Sequence, residues 1–157
     1  MKQPAIENTF IETVSYLFIL LFLYTGGMKI ISRFDFYLAL RASPLMYHFA
    51  GIVSWTIPIL ELAIVACLMT PKLKRVGLYS SFILMALFTV YVGYNAFFLN
   101  HKERPCTCGG IIEKMSWNQH VVFNTVFTLL ALLAIRFYKK KTRAQTQYTD
   151  TRNLSLS

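Results

Sequence analysis

The segment best equipped for chemistry is Arg104-Pro105-Cys106-Thr107-Cys108-Gly109-Gly110. Two thiols one residue apart close only a tight ring, because the extended spacing pulls their Cα atoms towards the far end of the range a disulfide tolerates. Strained, exposed disulfides are readily reduced and are regulatory or catalytic more often than structural. Pro105 and the two glycines help the backbone turn, and Lys102 and Arg104 favour a thiolate by opposing its charge. Thiol–disulfide exchange at Cys106 and Cys108 is the chemistry these residues suit. Three other roles stay open: a static clip, two free thiols, or half of a metal site. A metal needs more ligands, and His101 and His120 stand at no familiar spacing, so no metal set is read. Cys67 lies inside an apolar run and reads as a small buried hydrophobe.

Glu61 is the second candidate, near the middle of an apolar stretch. A carboxylate in hydrocarbon is costly unless it faces protein, is paired or is protonated, so it marks a binding or proton-transfer site by default. Its plainer role is a hydrogen-bonded packing contact. Candidate partners are Tyr24, Lys29, Asn95, His120 and Asn124. His120 and Asn124 are four apart and share a helix face. His120 can shuttle a proton or serve only as a polar anchor. Trp55 and Trp117 suit an aromatic belt at a membrane surface, with quinone stacking as the rival role.

These residues are positioned by four stretches, each long enough to cross about 30 Å of hydrocarbon as a helix. They run over about 10–31, 48–69, 76–99 and 117–138. None alternates with period two, which disfavours a β-barrel. The chain is 55% hydrophobic and only 15% charged, whereas a soluble domain carries about 25% charged residues. The net charge of +9 does not point to nucleic acid, because the basic residues cap apolar runs instead of forming one stripe. The expected fold is an all-α integral membrane four-helix bundle over 1–141. Pro71 stops the second helix, and Ser116 with Gln119 reads as a capping box opening the fourth. The polar segment 142–157 is expected to be a disordered tail. The first apolar run lacks a small-x-small cleavage site and is expected to be retained.

Lys72, Lys74 and Arg75 between the second and third runs, and Arg136 to Arg143 after the fourth, predict that both termini are cytoplasmic. The segments near 32–47 and 100–116 then face outward, and Cys106 and Cys108 lie in a compartment that permits disulfides. The expected location is a bacterial inner membrane.

The ordered motifs carry a family resemblance. Leu23-Tyr24-Thr25-Gly26-Gly27-Met28-Lys29 resembles the first-helix motif of DoxX-like membrane proteins, and Pro58-Ile59-Leu60-Glu61 resembles their second-helix pattern. Cys106 to Gly110, then Met115-Ser116-Trp117, His120 and Asn124, resembles the MauE branch; the likeness covers about Val14 to Phe137. It implies a four-helix membrane protein tied to redox work. The MauE branch is linked to methylamine utilisation, where it supports maturation of a disulfide-rich dehydrogenase subunit. DoxX-like relatives include a subunit of a thiosulfate:quinone oxidoreductase. The chain is also analogous to quinone-linked disulfide-forming enzymes, but has C-x-C instead of C-x-x-C and no second outward cysteine pair, so a partner would supply the missing thiols.

The resulting expectation is a redox accessory that exchanges thiols with a periplasmic thioredoxin-like or disulfide-containing partner. A membrane quinone is its candidate cofactor, near Trp117, His120 and Asn124. Two other functions compete: a scaffold whose C-x-C is a structural clip, and a small proton-coupled transporter using Glu61.

Overall fold

The computed structural model describes residues 3–98 and 117–154. Cys106, Cys108 and Ser116 lie outside them. Among the described residues five helices follow one another: α1 (Gln3–Ile31), α2 (Arg33–Ala42), α3 (Ala50–Met69), α4 (Lys74–Phe98) and α5 (Trp117–Leu154). No strand occurs among the described residues. Four of the helices are long and apolar enough to cross a membrane: Ile6–Ile31, Ala50–Met69, Lys74–Phe97 and Asn118–Ala144. The expected four-helix bundle is therefore present. Large apolar side chains such as Leu20, Leu23, Ile59, Ile83, Leu87 and Val90 cover its exterior, as contact with lipid requires.

Each span buries a stripe at helical spacing. On α1 it is Ile11, Val14, Ser15, Phe18, Phe22, Thr25 and Lys29. The spans form a square in which α1 and α4 each pack against both α3 and α5. Phe18 meets Phe127 edge-on at 5.6 Å, and Phe10 meets Phe137 at 5.3 Å, which sets the antiparallel register of α1 and α5. Small residues bring the backbones together. At Gly77 an added Cβ would lie 2.8 Å from Leu68 Cδ2 and 3.0 Å from the Leu68 nitrogen, so the α3–α4 hairpin closes only around glycine.

The end of the bundle where α1 begins is basic and clasped. Lys74 Nζ pairs with Glu12 at 2.7 Å and Lys140 Nζ with Glu7 at 2.6 Å, while Lys141 Nζ donates to Asn8 Oδ1 at 2.6 Å. These contacts tie α1 to α4 and α5.

Two features differ from the sequence expectation. The segment 32–47 contains α2, joined to α1 through Ser32 alone. Phe36 and Leu40, four apart, bury one face of α2 against Ala50, with Val53 and Ile57 packed alongside. The second difference is α5, which continues to Leu154 where a disordered tail was expected. No glycine or proline interrupts 139–154, and Thr142 and Thr146 hydroxyls donate to the carbonyls four residues back.

Candidate intramembrane site

Among the described residues the bundle carries one buried charge pair, placed by a glycine. An added Cβ on Gly26 would stand 3.2 Å from Glu61 Oε2, 3.3 Å from Glu61 Cβ and 3.5 Å from the Pro58 carbonyl, so α1 and α3 approach closely because position 26 has no side chain. Three residues later on α1, Lys29 Nζ reaches Glu61 Oε1 at 2.6 Å. Lys29 is 4% exposed and Glu61 2%, so each charge is shielded from bulk solvent and compensated chiefly by the other. The ammonium also lies 5.3 Å from the centre of the Phe88 ring and 5.8 Å from that of Phe36, whose electron-rich faces attract a cation.

Gly26 being level with Glu61 fixes the geometry above the pair. From that level α3 runs further than α1 by about six residues, or ~9 Å, towards the α2 end. Helix α2 packs beside this extra length of α3, one layer beyond Lys29.

A half-open cavity of about 40 Å³ lies beside the pair, lined from all four spans. α1 supplies Leu21, Phe22, Thr25 and Lys29, and α3 supplies Glu61. The other wall is Met85 and Phe88 of α4, with His120, Phe123 and Asn124 of α5. Thr25 lies beside the carboxylate, yet Thr25 Oγ1 and Glu61 Oε2 are each buried without a well-formed hydrogen bond among the described residues. Asn124 Nδ2 donates to the His120 carbonyl at 2.8 Å, and Thr128 Oγ1 to the Asn124 carbonyl at 2.7 Å. Thr128 also meets Thr89 of α4, hydroxyl to hydroxyl at 3.0 Å. A polar ladder thus runs along α5 from the cavity to the middle of the bundle.

The site collects some of the sequence candidates and leaves others apart. Lys29, Glu61, His120 and Asn124 share one cavity. Asn95 is buried on α4 but does not line it; its Nδ2 donates to the Tyr91 carbonyl at 2.7 Å. Tyr24 is partly exposed and also absent from the lining. Trp117 opens α5, and Trp55 stacks under the Arg33 guanidinium at 4.5 Å near the start of α3. Thr25, Met85, Phe88 and Phe123 were not singled out from sequence. The signal for Thr25 was its place four residues before Lys29 on the same helix face. The three apolar residues gave none, since nothing distinguishes them from ordinary core.

The register also relates the facing ends of α4 and α5 to the cavity. The Thr89–Thr128 contact places the end of α4 at Phe98 and the start of α5 at Trp117 within about one turn of the His120 level. Phe98 and Trp117 therefore both lie near the level of the cavity.

No curated protein and no solved structure matches the chain. The family model described as "Methylamine utilisation protein MauE" matches residues 7–137, which hold the four membrane-spanning stretches apart from Ile6 and the last seven residues of the fourth, together with the Lys29–Glu61 pair and the cysteine-bearing segment. This multi-pass membrane protein belongs to the MauE family.

Proposed function

We propose that the protein is a membrane redox accessory of methylamine utilisation that exchanges thiols and disulfides with a periplasmic partner through Cys106 and Cys108. The observation that supports this reading is the register: α4 ends at Phe98 and α5 begins at Trp117 near the level of a buried cavity holding Lys29, Glu61, His120 and Asn124, and Cys106 and Cys108 fall between those two residues in the sequence. The basic clasp at the other end of the bundle supports a cytoplasmic placement of that end and an outward placement of the cysteines.

In the exchange, a thiolate of one member of the pair attacks a partner disulfide and forms a mixed disulfide, releasing one partner thiolate. The second cysteine then attacks the mixed disulfide, giving a Cys106–Cys108 disulfide and a fully reduced partner. Two electrons and two protons pass to the partner, and the reverse reaction uses the same steps. A membrane quinone is the two-electron acceptor implied by the resemblance. Its ring does not fit inside the cavity: about 40 Å³ falls well short of the roughly 150 Å³ that holds benzene in an engineered protein cavity. No electron step is therefore routed through the cavity.

Thiol alkylation in intact membranes, with and without mild reductant, tests the proposal. Exchange predicts that Cys106 and Cys108 become alkylated rapidly after mild reduction and recover their protection on reoxidation. A pair that stays protected under mild reductant is a structural clip, and the exchange reading then fails.

A further inference from the structure

The cavity beside the ion pair is chemically unfinished. Glu61 Oε2 and Thr25 Oγ1 both belong to residues more than nine-tenths buried, and both lack a well-formed hydrogen bond among the described residues. Turning the Thr25 hydroxyl onto Oε2 would not complete the site. An ionised carboxylate accepts up to about four hydrogen bonds, and Lys29 gives one, to Oε1. Buried polar atoms in native proteins are almost always satisfied, by protein or by ordered water. The space next to these atoms is the right size for water: a cavity of about 40 Å³, at roughly 10–15 Å³ per molecule, holds about three. It is too small for a ring and has polar atoms on opposite walls, which a water cluster needs to stay in place.

We infer that this cavity is a water site that relays protons between His120 and Glu61. One water donates to Glu61 Oε2, a second exchanges hydrogen bonds with Thr25 Oγ1, and the cluster extends to the His120–Asn124 wall. Among the described residues, the ionisable groups facing Glu61 are few. α1 supplies Lys29 and α5 supplies His120, while α4 contributes only Met85 and Phe88 to the lining. α2 approaches through the Phe36 ring beside Lys29. Among the described residues His120, three residues into α5, is thus the titratable group of the cavity lining nearest the start of that helix. A proton reaching the imidazole from the α2 end passes along the waters to Glu61, and Lys29 holds the carboxylate in place between transfers. The inference goes beyond the exchange reading and uses neither cysteine.

Hydroxyl-radical footprinting by water radiolysis, on the full chain in lipid nanodiscs, tests for the water. Met85 is 3% exposed and lines the cavity, so radicals formed from trapped water oxidise it while lipid shields the bundle. The expected result is Met85 oxidation that falls about tenfold in Asn124→Leu, which fills the cavity from α5, and falls less in Thr25→Val, which removes one water partner. The relay is read separately, from the infrared carboxyl band of Glu61 (assigned by its loss in Glu61→Gln) after a jump in pH at the α2 face of sealed vesicles. His120→Leu is expected to slow that response about tenfold. Replacing both cysteines with serine leaves both readouts unchanged, so failure here is distinguishable from failure of the exchange reading. Any of four results overturns the inference: no Met85 oxidation in the wild type, equal oxidation in both folded variants, protection of Met85 by a short-tailed quinone, or an equally fast Glu61 response without His120.

Discussion

Breaking the Lys29–Glu61 pair from one side should be far more damaging than removing it altogether. The two charges are 2.6 Å apart and nearly inaccessible to bulk solvent, so each depends chiefly on the other for compensation. Lys29→Met leaves a buried carboxylate uncompensated, and Glu61→Gln leaves a buried ammonium whose remaining neighbours include the Phe36 and Phe88 rings. Each single change should cost about 3–5 kcal/mol, the range found when one partner of a buried pair is removed. Lys29→Met/Glu61→Gln leaves no unpaired charge, and the Met side chain keeps most of the lysine stem's packing. The double variant should therefore cost less than either single one, so the coupling in a double-mutant cycle should exceed the cost of a single change, about 3–5 kcal/mol. Equilibrium unfolding of the four purified proteins in mixed lipid–detergent micelles supplies the free energies. Losses that simply add, or single variants as stable as the wild type, would refute the reasoning, because the pair would then be open to bulk solvent or unformed in the bilayer.

Other predictions follow from the packing. Gly77→Ala should destabilise by about 1–3 kcal/mol through overpacking, since its Cβ would sit 2.8 Å from Leu68 Cδ2; Leu68→Ala should relieve part of that loss in the same unfolding assay. Gly26→Leu should force α1 away from α3, because even a Cβ there lies 3.2 Å from Glu61 Oε2, and cross-linking between engineered cysteines on the two helices would report the separation. Thr89→Val should cost only about 0.6 kcal/mol, the average for a side-chain hydrogen bond between membrane helices. Lys74→Ala at the partly exposed clasp should cost less than about 1 kcal/mol, and the effect should shrink as salt rises.

The spans were legible because length and hydropathy alone decide what can cross a bilayer, and α3 to α5 begin within about two residues of the expected positions. α2 was not, since ten residues with a mixed charge pattern resemble a loop until Phe36 and Leu40 find a partner in Ala50. The extension of α5 escaped for a related reason: 142–154 has no apolar stripe, and only the lack of a breaker after Lys141 hinted that the helix runs on. Within the site, Lys29 and Glu61 stood out because an ionisable residue in an apolar run is rare and must be compensated. Their pairing, out of five candidate partners for Glu61, depended on the register set by Gly26, which spacing along one chain does not reveal. Thr25 was hidden because a threonine in a membrane helix usually bonds its own backbone, as Thr89, Thr125 and Thr128 do here.

The claim on which the functional reading stands is that Cys106 and Cys108 react with another protein. Single Cys106→Ser and Cys108→Ser variants, expressed in native membranes and quenched with acid before alkylation, test it directly. Removing the resolving cysteine should leave the other joined to a periplasmic protein as a mixed disulfide that reductant releases, and function should be lost in both variants. If neither variant traps a partner and function survives both changes, the pair does not exchange, and the account of this protein as a redox accessory is wrong.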